Sequence, residues 1–303
     1  MNIQFFNTAF SNPALLKAIE NSGLYQPEFL LDKEGTLWMS GFLFRKIVNF
    51  RLLLFEENFL QLGTYDIQLR KFLKSAVFTE FRPLNRISVK EENLLNQLGF
   101  SKTDWLNLIV KTNSVSEIWE KVSDVKKRQI RSSEKYIKVE EAGSEDDVDA
   151  FYKILFKLYR QKVRKPLPHY NFFSGFYHHV CGTGYGTILT VKHQDKVIAG
   201  MLCSITPGKS MYEWYVVGMD DEYKGKGIYP SVMITWAALE YACNHKIPQF
   251  NFMGAGYPEI PYGVRDFKLD FGGELVNVGR YIKSNKPFLF QLGKMYILAR
   301  EIM

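Results

Sequence analysis

The stretch Asp221–Trp236, DEYKGKGIYPSVMITW, alternates two lysines with two glycines (Lys224, Gly225, Lys226, Gly227) directly ahead of an apolar helical run. A loop of this kind can cradle a phosphate, because backbone N–H groups and a helix N-terminus converge on the anion. Its neighbours oppose that use. Pro230 falls in the first helical turn and supplies no N–H, and Ile228 and Tyr229 stand where a phosphate-hugging loop uses small residues. The loop therefore attracts an anion through Lys224 and Lys226 but is short of donors for a pyrophosphate. Two basic helical segments carry a second kind of chemistry. Arg128 and Arg131 lie in VKKRQIRSSEK, and Arg160, Arg164 and Lys165 in AFYKILFKLYRQKVRK. Arginines suit bidentate contacts to substrate phosphates, or these are solvated helix faces. A third candidate is Glu213 in MYEWYVV, where alternation puts Tyr212, Trp214 and Val216 on one face and Glu213 with Tyr215 on the other. A mid-strand carboxylate either accepts a proton from a substrate or pairs with a nearby lysine or arginine. Tyr212 and Trp214 either line a substrate groove or fill core. Lys268, in DFKLDFGG, taken alone is a surface lysine flanking Asp266 and Asp270.

Other chemistries find no support. His178 and His179 are adjacent and point apart on a helix, and no carboxylate sits at metal-ligand spacing, so no metal site is expected. No nucleophile elbow occurs. GTGYGT (Gly182–Thr187) precedes a strand rather than a helix, which makes it a turn and not a dinucleotide loop. Three cysteines without a CxxC imply thiols in a reducing compartment. The N-terminus lacks a basic, apolar signal and no run reaches ~18 apolar residues, so a cytoplasmic protein without a transmembrane segment is expected.

The elements that must position these residues change character along the chain. The 303 residues suit two halves. In the first, NPALLKAIENSG is a helix capped by Asn12, TLWMSGFLF and VFTEF are strands, and DIQLRKFLKSA is a helix. Ser88 and Glu91 form a capping box, and DWLNLIV is a strand. SVSEIWEKVSDVKKRQIRSSEK is a single helix capped at Ser114. A helix follows the acidic turn EEAGSEDDVD, and another spans PLPHYNFFSGFYHHV. Three β-runs follow, the first two joined by KHQD, then the glycine loop, a helix from Pro230, the strand QFNFMG, an irregular stretch, one last strand GELVNVGRYI and a C-terminal helix. Residues 151–303 hold 19 Lys/Arg against 11 Asp/Glu, a balance that fits an anionic partner.

Three antiparallel strands, a glycine loop, a helix and two more strands, with VVGMDDEYKGKGI at the centre, resemble the GNAT acetyltransferase fold. YPSVMITWAALEYACNHKIPQFNFMGAG followed by YGVRDFKLDFGGELV is similar to the FemABX aminoacyltransferases, and LGFSKTDWLNLIVKTNSVSEIWEKVSDVKKRQIRSSEK supports this over about residues 95–285. The resemblance implies an α/β fold of two tandem GNAT-like subdomains with mixed, largely antiparallel sheets. These would span residues 1–113 and 114–303, with the active site in the second. It implies transfer of an acyl or aminoacyl group to the amine of a cell-envelope precursor such as one of peptidoglycan. The donor would be aminoacyl-tRNA or acyl-CoA, with no permanently bound cofactor, no metal and no covalent enzyme intermediate. Partners would be the anionic precursor, with tRNA and a peripheral membrane contact left open and DNA not expected. By the same resemblance Lys268 matches the lysine of the family's Phe–Lys pair and would stabilise an oxyanion. Phe267 would shape the pocket, and Glu213 would take the proton of the incoming amine. The long helical hairpin of several Fem enzymes is missing, which leaves the donor open. The alternatives are a coenzyme A-dependent N-acetyltransferase and a non-catalytic GNAT-like binding protein.

Overall fold

Helix starts in this chain are set by side-chain caps that satisfy otherwise unpaired N–H groups. A computed structural model describes residues 8–31, 37–44, 50–55, 66–74 and 76–302. Asn12 accepts from Ala14 N to open α1 (Pro13–Glu20). Strands β1 (Tyr25–Leu31), β2 (Leu37–Phe44) and β3 (Phe50–Phe55) follow, then α2 (Asp66–Lys74) and β4 (Phe78–Pro83). The Ser88–Glu91 capping box opens α3 (Val89–Gln97), which precedes β5 (Ser101–Thr103) and β6 (Leu106–Lys111). The single helix expected from Ser114 is in fact two, α4 (Val115–Lys121) and α5 (Asp124–Ser133). Val122 is extended, and the Ser123 side chain accepts from Lys126 N, so a second cap restarts the helix.

Next come β7 (Lys138–Glu141), α6 (Glu145–Leu158), a π-helical turn over Tyr159–Val163 and α7 (Tyr170–His179). The hairpin of β8 (Gly186–His193) and β9 (Lys196–Thr206) turns on Gln194 and Asp195, both left-handed as a two-residue hairpin turn requires. The rest are β10 (Ser210–Gly218), α8 (Asp220–Tyr223), α9 (Pro230–Asn244), β11 (Gln249–Gly254), α10 (Gly263–Leu269), β12 (Glu274–Asn277), β13 (Arg280–Ser284) and α11 (Pro287–Ile302). The last strand expected over GELVNVGRYI is thus two strands in different sheets. Gly279, left-handed at φ 70°, turns the chain between them.

Two mixed sheets result, in the orders β1-β2-β3-β4-β13-β5 and β12-β6-β11-β10-β9-β8-β7. They exchange strands along the chain. β6, which precedes residue 114, belongs to the second sheet, and β13 returns to the first. One core of the second sheet lies under α9 and holds Val232, Trp236 and Leu239 with Met211 and Phe250. The other unites Phe10, Leu15, Phe42 and Leu52 with Phe151, Phe172, Phe176 and Tyr212, so both halves share it. Burying each such phenylalanine contributes about 1.5–3 kcal/mol. Gly200 lets α6 approach this closely, since a Cβ there would lie 2.3 Å from the Phe151 ring.

The feature that makes a site is a split in the second sheet. β10 pairs in parallel with β11 only over Ser210–Tyr212, then continues along β9, while β11 continues along β6. Both strands are irregular where they part. In β10 the register skips Trp214, so Tyr212, Tyr215 and Val217 enter one core while Val216 packs toward the other. This corrects the strict alternation expected for MYEWYVV, because a bulge reverses the side-chain phase beyond it. In β11 Met253 is left-handed at φ 54°, and its N–H donates to Asn251 Oδ1 at 2.7 Å.

Candidate active site

Where β10 and β11 separate, the carbonyls of β11 lose a strand partner, and buried carbonyls need a donor. Lys268 supplies it. α10 aims its Nζ into the split, where it donates to Phe252 O at 2.7 Å and Gly254 O at 3.3 Å. The same ammonium pairs with Glu213 Oε1 at 2.8 Å, and both side chains are only 7% exposed. Lys268 is therefore not the surface lysine its sequence neighbours suggest. Asp270 pairs instead with Lys126, at 3.6 Å. The three N–H groups of the ammonium match three acceptors, and the pair is neutral as a unit. Removing either partner would leave an uncompensated buried charge.

Glu213 and Lys268 form part of the wall of two cavities. One, of about 380 Å³, lies between the two sheets and reaches Tyr25, Trp105 and Trp214; the other, of about 210 Å³, runs past Val217 to Thr235 of α9. A third, of about 400 Å³, shares Asp220, Ser231 and Phe267 with the second and extends to Lys126 and Tyr229. Phe267 thus borders the second and third cavities, packing on Phe271 and under the Lys126 ammonium. Trp214 borders the first cavity, stacked between Phe42 and Tyr215. Tyr212 is fully buried against Phe10 and is core.

The glycine loop is built for its own turn. Gly225 and Gly227 are left-handed, at φ 78° and 72°, which is why glycine stands there. Lys226 N donates to Tyr223 O at 3.1 Å, and Gly227 O accepts from Ser132 Oγ at 2.7 Å. The N-terminus of α9 is already capped. Tyr229 N donates to Ser133 Oγ at 3.0 Å, Pro230 has no N–H, and Ser231 N donates to Asp220 Oδ1 at 3.1 Å. The Ser231 hydroxyl donates to the other Asp220 oxygen. Gly218 abuts the same turn, since a Cβ on it would lie 2.6 Å from Ser231 N. Lys224 and Lys226 are exposed, and Lys226 lies over the Tyr223 ring.

The two basic clusters are not brought together. α5 contributes Ile130 to the core beneath α9, whereas α6 packs on the opposite face of the sheet through Phe151 and Leu155. Arg131 stacks on Trp119 and Arg160 on Phe156. Arg164, at φ 56°, closes the π-helical turn with its N–H on Tyr159 O. Arg128 and Lys165 are exposed, and among the described residues none of these five lines the three cavities.

Sequence patterning missed a polar cluster at the first cavity, between the two sheets. Arg82 grips Glu80 with two hydrogen bonds, Nε to Oε1 at 2.8 Å and Nη2 to Oε2 at 2.9 Å. Arg280 reaches Glu80 Oε1 only at 3.5 Å and lies 3.2 Å over the Trp105 ring. Burial alone would raise the Glu80 carboxyl, but the charge and hydrogen bonds of Arg82 and the charge of Arg280 hold it below the usual carboxylate range. No spacing could have signalled this cluster. Only the antiparallel pairing of β13 with β4 brings residues 80, 82 and 280 together.

Residues 121–268 match the family profile of the GNAT acetyltransferase domain. The fold superimposes on FemX with a TM-score of 0.69 at 12% identity, covering 92% of this chain and 93% of FemX. It superimposes on the C-terminal domain of a protein named as a lysylphosphatidylglycerol synthetase from Agrobacterium fabrum with a TM-score of 0.60 at 11% identity, covering 97% and 92%. A tandem GNAT protein of the clavulanic acid biosynthesis pathway gives 0.51 at 11% identity, covering 84% and 81%. No curated protein sequence matches significantly. Residues 121–268 are thus similar to the GNAT acetyltransferase domain, and the chain as a whole shares the fold of FemX and of a tandem GNAT protein.

Proposed function

We propose that this chain is an N-acyltransferase that passes an aminoacyl group from an ester donor to the amine of a cell-envelope precursor, by direct attack of that amine on the ester carbonyl beside Lys268 and Glu213. The buried Lys268–Glu213 pair in the split between β10 and β11 carries the reading. The amine loses its proton to the Glu213 carboxylate and its lone pair forms the C–N bond. The carbonyl π electrons move to oxygen, where the Lys268 ammonium offsets the negative charge. Protonation of Glu213 removes the counter-charge of Lys268 as the oxyanion develops, so the two events reinforce each other. Collapse of the tetrahedral centre breaks the ester C–O bond, and the leaving alkoxide takes the proton back from Glu213. The envelope acceptor rests on the resemblance to FemABX enzymes and on the likeness to the synthetase domain.

Aminoacyl-tRNA is favoured over acyl-CoA because the Asp220 carboxylate occupies the helix terminus that a pyrophosphate would need, and it repels one. Calorimetric titration with coenzyme A tests this. No saturable heat is expected from the wild type, and micromolar binding would restore the coenzyme A reading. Binding of aminoacyl-tRNA should weaken steeply with salt through counterion release, and a flat profile would count against it. Lys268→Ala should lower turnover by about 10²–10³-fold, the scale of one lost oxyanion donor, with substrate binding retained. An unchanged rate in a folded variant would overturn the role given to Lys268, whereas a wild type that binds substrate without turnover would leave a non-catalytic binding protein as the surviving reading.

A further inference from the structure

The cavity of about 380 Å³ that meets Lys268 also carries a cationic pair that acyl transfer does not use. Arg82 and Arg280 both line it, on adjacent antiparallel strands of the first sheet. One carboxylate serves both, and it serves them unequally. Arg82 engages both Glu80 oxygens, which leaves Arg280 a single long contact. Among the described residues Arg280 Nε is buried without a hydrogen-bond partner, although the side chain is 23% exposed and so open to the cavity. Burial, and next the like charge of Arg82, push the Arg280 guanidinium down to about 9. The Arg280 guanidinium carbon lies 3.2 Å over the Trp105 ring, and a guanidinium so supported suits bidentate oxyanion recognition. Two guanidiniums against one carboxylate leave an excess positive charge, with an unused donor, beside a chamber whose lining includes Tyr25, Phe42, Trp105 and Trp214. A purely structural ion pair would be expected to balance its charges and satisfy its donors.

We propose that Arg82 and Arg280 form a cradle for a phosphate or carboxylate group of a substrate whose apolar part lies against Tyr25, Phe42 and Trp214. Gly254 links this cradle to the reactive pair. Its carbonyl accepts from Lys268, and its Cα packs near Trp105, since a Cβ there would lie 3.3 Å from the indole. A ligand anchored at the guanidiniums therefore extends toward Glu213 and Lys268.

The test is calorimetric titration of the full chain with inorganic phosphate and, separately, with acetate. Tighter binding of phosphate assigns a phosphorylated ligand and comparable or tighter binding of acetate a carboxylated one; binding of neither overturns the proposal. Arg280→Gln is expected to weaken the bound anion at least tenfold, and Arg280→Lys to recover part of that loss. A Lys224→Gln/Lys226→Gln double variant should bind as the wild type does. Loss in that double variant with Arg280→Gln unaffected would place the anion at the glycine loop and overturn the cradle. If Arg280→Gln fails to fold, the wild type serves through its tryptophan fluorescence. The change on saturation with phosphate should disappear in Trp105→Phe, which keeps an aromatic face, and its full persistence would overturn the assignment. Binding is measured without turnover, and Lys268→Ala should retain it. Failure of the cradle is thereby distinguishable from failure of the proposed acyl transfer.

Discussion

Lys268 shows how far a residue's meaning depends on what surrounds it. Flanked by Asp266 and Asp270, it has the local sequence of a solvated lysine, yet its ammonium is buried on Glu213 and two carbonyls. Such a pair is costly to break and cheap to replace as a unit. Lys268→Met and Glu213→Gln should each lose about 3–5 kcal/mol of unfolding free energy. The double variant should lose clearly less than the two together, and chemical denaturation of all four proteins measures that coupling. Additive losses would mean the pair is not formed. Glu80 adds a pH signature. Its carboxyl is held below the ordinary glutamate value of 4.5, so the folded state binds its proton less readily than the unfolded chain does. The stability it contributes is complete above 4.5 and is lost as pH falls through the lower folded value. Thermal melts below 4.5 should therefore decline more steeply for the wild type than for Glu80→Gln.

At the scale of elements, α9 carries a cap where its sequence suggested a phosphate. The Asp220 carboxylate, reaching across from α8, satisfies Ser231 N and complements the positive helix end. α8 is itself held by Lys162 on Asp221 and Lys157 on Glu222, at 2.7 and 3.1 Å. Asp220→Ala should cost about 0.5–2 kcal/mol, the usual value of an N-cap. It should also raise the affinity for inorganic pyrophosphate by freeing the terminus, which competition of pyrophosphate with a fluorescent nucleotide would detect. Unchanged affinity would show that Gly218, packed on the same turn, closes the terminus by shape alone. The helix caps were legible in advance. Asn12, Ser88 and Ser114 each cap the helix their spacing announces. Ser123 was not, because a serine inside an amphipathic run carries no mark that it will break the helix.

At the scale of the whole molecule, β13 binds the two sheets into one unit. It lies between β4 and β5 in the first sheet although it follows the second in the chain. The core around Phe42, Phe151 and Tyr212 is common to both. A chain ending at residue 278 should therefore lose hydrogen-exchange protection in β4 and β5 and, through the shared core, in α6 as well. Protection retained in β4 and β5 would show that the first sheet closes without its returning strand.

The sequence by itself determined the local order of the molecule. Caps, turn glycines and apolar periodicity act between near neighbours, and they announced α1, α3, α9, the β8–β9 hairpin and the GNAT-like succession around the glycine loop. Only the tertiary structure decided which residues meet. The split between β10 and β11 exposes carbonyls that no local pattern records, and that split turns Lys268 inward to Glu213. A bulge at Trp214 reverses the side-chain phase of β10. The return of β13 sets Arg280 beside Arg82 across most of the chain's length. These outcomes depend on strand pairing between distant segments, where burial and unsatisfied hydrogen bonds outweigh local preference.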